Sequence, residues 1–93
     1  MRKVAVLPSF ERSLRKLALP QRKQVAESLE AFNLFLLSGE FAPGFGFKKI
    51  NCDKYEFRAG LHLRVIVKRE EDVFYLVLVG DHDDVKRYLR TFR

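Results

Sequence analysis

Three residues in the second half of the chain have side chains that could act on a phosphodiester: Arg58, Arg64 and His82. A guanidinium clamps a phosphate through two parallel hydrogen bonds, and it stabilises charge that develops in a transition state. An imidazole exchanges a proton near neutral pH and serves as a general acid or base. If the fold brings the three together, they predict a site that grips a phosphate and moves a proton.

The alternation of residue types predicts that the two arginines share one face of a sheet. Segments 55–58 and 62–68 alternate apolar with polar residues, as half-buried strands do. Arg58 and Arg64 both lie on the polar side, so a hairpin projects them from one face. Three further side chains have the same polar parity: Glu56, His62 and Lys68. An ordinary solvated sheet face also carries charges of both signs, and Glu56 fits that alternative.

The turn Gly80-Asp81-His82 follows the most apolar segment, 73–79, and precedes a helical pattern. Polar groups at the end of a strand are held by a rigid scaffold and still reach solvent, which favours function. The alternative is an ordinary capping turn, with Asp83 or Asp84 as the cap and His82 exposed without a role. The turn alone does not decide between these two interpretations.

The elements that must position these residues follow from periodicity. Residues 3–7 predict a short strand, and Ser9 is a candidate N-cap for a first helix. A second helix is expected from Leu19 to a stop at Gly39. Two helices so close in the chain predict an antiparallel hairpin. Residues 40–46 predict a loop, and the tail from Asp81 returns to helical spacing, with Tyr88 on its apolar side.

The predicted order is β-α-α-β-β-β, followed by a short C-terminal helix. The fold class is α+β, with the helical hairpin packed on an antiparallel sheet, and residues 1–93 are expected to form a single domain. Segment 73–79 is apolar on both faces and predicts a central strand covered by the helices on one side.

Charge suggests the kind of partner. Eighteen basic and 12 acidic residues give a net charge of +6, and the excess is concentrated in residues 1–23 and 48–69. Such clustering favours a polyanion, although a merely soluble basic surface is the alternative. Three lysines flank the predicted polar face and could contact backbone phosphates: Lys48, Lys49 and Lys54.

Other features narrow the class of protein. The longest apolar run is too short for a membrane helix, and no signal peptide is expected. The single cysteine, Cys52, predicts a reducing, cytoplasmic setting and is expected to be neither nucleophile nor metal ligand. Two histidines far apart do not argue for zinc, so no metal or cofactor is expected. Tyr88 could stack on a base, but its helical spacing favours a core position.

The strand pair Tyr-x-x-Arg…Arg-Val at 55–65 and the ending Gly-x-His-Asp at 80–83 resemble the RelE/ParE toxin superfamily over nearly the whole chain. The resemblance implies a toxin of a type II toxin–antitoxin system. RelE-like members enter the ribosomal A site and cut mRNA, with the 2′-hydroxyl as nucleophile and without a metal. A cognate antitoxin wraps the toxin. ParE-like members share the fold but poison DNA gyrase.

The resemblance also implies residue roles. Arg58 corresponds to a basic residue of the catalytic face, Arg64 to a phosphate-binding arginine and His82 to the proton-transfer position at the strand end. Glu56 stands where RelE has a lysine, so it is either a general base or a sign that the nuclease site has degraded. The C-terminal tyrosine of RelE has no clean match among Lys86, Arg87 and Tyr88.

These observations predict a metal-free, ribosome-dependent mRNA endonuclease that inhibits translation. The predicted catalytic residues are Arg58, Arg64, His82 and Glu56. The predicted RNA-binding residues are Lys48, Lys49, Lys54, His62, Lys68 and Arg87. Two alternatives stay open: a non-enzymatic inhibitor of gyrase, and a non-toxic domain of the same fold that binds nucleic acid or a partner.

Overall fold

The computed structural model describes residues 3–39 and 46–91. Its elements in chain order are β1 Lys3–Val6, α1 Pro8–Arg15, α2 Leu19–Ser38, β2 Lys48–Lys49, β3 Lys54–Arg58, β4 Arg64–Glu70, β5 Val73–Gly80 and α3 His82–Thr91. The α+β class and the predicted order are confirmed, with β2 as an additional short strand. The predicted loop at 40–46 lies outside the described residues except for Gly46.

The strands form one sheet in the order β1-β5-β4-β3-β2. Neighbours from β2 to β5 are antiparallel, as predicted. Strand β1 differs, because it runs parallel to β5. Parallel neighbours require a long crossover connection, and the helical hairpin that follows β1 begins such a connection. The sheet is therefore mixed.

Helices α1 and α2 pack on one face of this sheet. Val25 and Phe32 from α2 are buried there against Phe57 of β3 and Val65 of β4. The rings of Phe32 and Phe57 stack with centroids 4.9 Å apart. Helix α2 ends as predicted at Gly39, whose φ of 79° is left-handed and whose N–H donates to the Phe35 carbonyl.

Ser9 does not cap α1, which corrects the sequence prediction. The N-cap is Leu7, and the Ser9 hydroxyl donates to the Val77 carbonyl of β5 at 2.7 Å. The Ser13 hydroxyl in turn accepts from the Val79 N–H at 3.0 Å. Strand β1 pairs only with residues 73–76 of β5, so α1 continues along the same edge and satisfies the backbone groups beyond it.

Helix α3 covers the middle of the opposite sheet face. Val85 of α3 is buried against Ile66 of β4 and Val77 of β5. A register shift after Ile66 leaves Val77 without an opposing residue on β4. Because both faces of β5 are covered, its sequence is apolar on both sides. The part of the face left open lies beside α3, toward β2 and β3.

Candidate active site

Arg58 and Arg64 face each other directly across β3 and β4. The adjacent Ala59 N–H donates to the Leu63 carbonyl, so the arginine pair is of the non-hydrogen-bonded kind, with Cα atoms about 4.5 Å apart. Their strand neighbours Phe57 and Val65 are buried under the helices, which places both guanidinium groups on the opposite face. The predicted shared face is thus confirmed.

The two arginines carry like charges side by side. Neither forms an ion pair within residues 3–39 and 46–91. Like charges directly opposite each other destabilise a sheet, and an anion bound between them removes that cost. Arg58 is exposed and lies against Gly46, where a Cβ atom would be 3.2 Å from its Cγ. Glycine at 46, with φ of 67°, therefore gives the Arg58 side chain its room.

His82 is the first residue of α3, and Asp81 is its N-cap. The Asp81 carboxylate accepts from the Asp84 N–H at 2.9 Å, and the Asp84 carboxylate accepts from the Asp81 N–H at 3.0 Å. The prediction of Asp83 or Asp84 as the N-cap is therefore wrong, because the helix begins two to three residues earlier. The Asp84 N–H lowers the pKa of the Asp81 carboxyl. A Cβ atom at position 80 would lie only 2.6 Å from the Cβ atom of Asp84, so glycine at this position leaves room for the Asp84 side chain.

His82 itself is exposed and lines two neighbouring clefts. The first, of about 320 Å³, is lined by Leu61, His62, Arg64, Asp81, His82 and Asp83. It brings together three of the predicted residues, the two histidines and Arg64. Arg58 lies beside this cleft rather than in its wall.

The second cleft contains Glu56. It measures about 310 Å³ and is lined by Lys48, Lys49, Ile50, Glu56, His82, Val85, Lys86 and Leu89. Glu56 is 9% exposed, and its Oε1 lies 3.1 Å from the ammonium of Lys48, which is directly opposite on β2. Glu56 and His82 are thus walls of one cleft. A carboxylate and an imidazole, two groups that general acid–base catalysis uses, thus line the same cleft.

The sequence matches no protein-family model and no curated protein. The fold, however, matches solved structures. A copper-bound mutant toxin from Helicobacter pylori has a TM-score of 0.70 at 19% identity, covering 91% of this chain and 99% of that one. YafQ from E. coli strain BL21(DE3) has 0.66 at 9% identity, covering 91% and 98%. The RelB-RelE antitoxin-toxin complex from Methanococcus jannaschii has 0.68 at 15%, covering 90% and 96%.

The chain has the fold of RelE-type toxins. At these identities the likeness establishes the fold, and the resemblance inferred from residues 55–65 and 80–83 is confirmed at that level. In this RelE-type fold, both clefts lie on the sheet face away from the helical hairpin, along the start of the C-terminal helix.

Two predicted RNA-binding lysines lie elsewhere on the RelE-type sheet. Lys54 and Lys68 oppose each other at the far end of β3 and β4. Lys54 lies 3.3 Å from Asp53, and Lys68 lies 2.9 Å from Glu70, a hydrogen bond that raises the Lys68 pKa. Neither lysine lines the two clefts, and both already have carboxylate partners. Their role in RNA binding stays a prediction.

Arg87 lies on another side of α3. Its guanidinium lies 3.3 Å from Asp84 and lines a groove between α1 and α3 together with Lys16.

Tyr88 packs against the Ile66 cluster, as its helical spacing indicated, and burial raises the pKa of its hydroxyl. The cationic side chain of α3 that lines the second cleft is Lys86, which the sequence analysis did not include among the predicted RNA-binding residues. Its spacing of four from His82 was the available signal.

Within residues 3–39 and 46–91, no group of three His, Cys, Asp or Glu side chains is placed to hold a metal ion. Cys52 is exposed and has a free thiol. None of the helices in this part of the chain is both long and apolar enough to cross a membrane.

Proposed function

We propose that the chain is the toxin of a type II toxin–antitoxin system, and that it cleaves mRNA on the ribosome in the cytoplasm. The RelE-type fold supports the toxin role, since its structural neighbours include RelE and YafQ in complexes with RelB and DinJ. By analogy, a cognate antitoxin is expected to bind this chain. The observation that carries the nuclease assignment is the unpaired Arg58–Arg64 couple beside His82 and Glu56.

In the proposed reaction, the arginine pair holds the scissile phosphate. Glu56 accepts the proton of the 2′-hydroxyl while the 2′-oxygen forms a bond to phosphorus. The bond from phosphorus to the 5′-oxygen breaks, and protonated His82 gives its proton to that oxygen. The products are a 2′,3′-cyclic phosphate and a 5′-hydroxyl. The arginines stabilise the extra negative charge on the phosphorane-like transition state.

The assignment is tested by expressing the chain in bacteria without its antitoxin. The wild type should stop growth, and His82→Ala or Arg64→Ala should relieve the arrest. Lys23→Ala, an exposed change on α2, serves as the control and should remain toxic. Thermal melts establish that each variant is folded. Full toxicity in folded His82→Ala and Arg64→Ala would refute the catalytic roles.

A second assay separates the nuclease from the gyrase inhibitor. The protein should halt translation in a cell extract while purified gyrase continues to supercoil DNA. Loss of supercoiling with intact translation would instead favour the gyrase alternative. A chain that affects neither process, although folded, would support the non-toxic binding domain.

A further inference from the structure

Helix α3 carries a basic or titratable residue at every fourth position: His82, Lys86 and Arg90. Residues four apart lie on the same side of a helix and about 6 Å apart along its axis. All three side chains are exposed, whereas Val85 is buried and Leu89 is half-buried. The three residues therefore form a stripe about 12 Å long on the exposed side of α3.

Neighbouring clefts beside this stripe share wall residues. The second cleft shares His82 with the first, as described above. A third, of about 350 Å³, is lined by Ile50, Asn51, Lys86, Leu89 and Arg90. It shares Ile50, Lys86 and Leu89 with the second. The three clefts thus adjoin one another in a row from Arg64 to Arg90, and we term this row of clefts the α3 groove.

The part of the α3 groove beyond His82 is strongly basic. Its walls carry four cations and one anion: Lys48, Lys49, Lys86 and Arg90 against Glu56. Lys48 is paired with Glu56, whereas Lys49, Lys86 and Arg90 have no ion pair within the described residues. The first cleft differs, because Asp81 and Asp83 stand there against Arg64. Unneutralised charge is therefore concentrated on the side toward Arg90.

The same stretch also has an apolar wall, formed by half-buried Ile50 and Leu89. Cations along an apolar wall match a single-stranded nucleic acid, whose backbone is anionic and whose bases have apolar faces. An acidic peptide would use the cations but would not require continuity with His82. Only a strand being cut must run through both His82 and its flanking cations.

We propose that the α3 groove binds the single-stranded RNA that flanks the cleavage point, with Lys86 and Arg90 contacting successive backbone phosphates. This inference rests on the proposed function, because it takes His82 as the point of cleavage. Lys86 and Arg90 are positioning residues, since they lie along the helix from the reacting atoms. The contacts at His82 fix the register, and those at Lys86 and Arg90 hold the strand in it.

The test measures binding of a single-stranded RNA made uncleavable by 2′-O-methyl groups, by fluorescence anisotropy with the folded full chain. Lys86→Ala/Arg90→Ala should weaken binding about tenfold at 0.15 M salt. The slope of the logarithm of the binding constant against the logarithm of the salt concentration should become shallower by about 1.4, because each lost phosphate contact on a single strand accounts for about 0.7. Lys86→Arg/Arg90→Lys should keep the wild-type slope. With mRNA-programmed ribosomes as the cleavable substrate, the alanine variant should raise KM and leave kcat unchanged.

The control variant is Arg12→Ala/Lys23→Ala. It removes the same charge from exposed positions on α1 and α2, away from the α3 groove, and should retain wild-type affinity. Equal loss in both double variants would mean that only net charge matters, and would overturn the inference. Wild-type affinity in Lys86→Ala/Arg90→Ala, with cleavage intact, would overturn it while leaving the proposed function standing. A wild type that neither binds the single-stranded RNA nor cuts mRNA on programmed ribosomes would overturn both.

Discussion

Glu56 combines burial and charge in a way that bears on mechanism. Among the described residues it is the charged side chain that is buried, and its ion pair is with Lys48, which is 69% exposed. Burying a carboxylate costs free energy unless it is paired and hydrogen-bonded. A structural role alone would be served as well by a neutral, hydrogen-bonding side chain. In the proposed reaction, by contrast, a charged carboxylate in the wall of the cleft that contains His82 has a use, because it accepts a proton.

Glu56→Gln therefore tests the general-base role at the residue scale. Glutamine keeps the shape and hydrogen-bonding capacity but cannot accept the 2′-hydroxyl proton, so cleavage should fall by about 10²- to 10⁴-fold. Thermal unfolding should change little. Cleavage assays with matched protein concentrations provide the measurement. A variant that cuts RNA at the wild-type rate would show that Glu56 has no part in proton transfer.

Alternation in the sequence predicted which residues share a face but not how far apart they lie. Lys54 has the parity of Arg58 yet lies four residues away, about 13 Å along the strand. It is there paired with Asp53. Arg87 is five residues from His82, and five steps of 100° turn it well away from the stripe of His82 and Lys86. Strand parity decides on which face of the sheet a residue lies, whereas helix phase decides on which side of the helix it lies. Both are needed to predict which residues share a site.

At the scale of elements, α1 does more than cover the core. Its two serines occupy the edge of β5 where β1 no longer pairs, as Ser9 bonds the Val77 carbonyl and Ser13 the Val79 N–H. The sequence could not show this, because Ser9 at the start of a helix has the composition of a cap and its actual partner is 68 residues away. Hydrophobic periodicity fixes the helix but not the strand edge against which it lies.

Ser13→Ala should destabilise the fold by about 1–3 kcal/mol, because it leaves the Val79 N–H without its partner in a partly buried site. Ser28→Ala is the matched control. The Ser28 hydroxyl bonds only within its own helix, to the Val25 carbonyl, and alanine is the better helix former. Urea unfolding of both variants measures the difference. Equal stability of the two would contradict the edge role of α1.

Asp81→Ala tests the start of α3. Loss of the N-cap should lower Tm by several degrees at pH 7, whereas Asp83→Ala should have a smaller effect. Because the folded-state pKa of Asp81 is lowered from its ordinary value of 3.8, its charged form contributes stability that is fully present above that value. That contribution is lost as pH falls further, through the folded pKa. The Tm gap to wild type should narrow there, and a gap that is constant down to pH 2 would contradict this.

The whole molecule separates two surfaces. The helical hairpin closes one face of the sheet around an aromatic core, and α3 closes only the middle of the other. The sequence predicted the first layer from apolar periodicity. It did not predict where α3 would lie, because an amphipathic tail helix can pack against any exposed apolar strip. That placement positions His82 between two clefts.

The central claim is that this molecule cuts mRNA on the ribosome using His82. The most direct measurement incubates the purified chain with ribosomes programmed with a defined mRNA and maps the new RNA ends. Wild type should produce discrete cuts within the ribosomal A site, each with a 2′,3′-cyclic phosphate and a 5′-hydroxyl, and folded His82→Ala should produce at least about a hundredfold fewer. Intact mRNA with the wild type, or equal cutting by His82→Ala, would contradict the account.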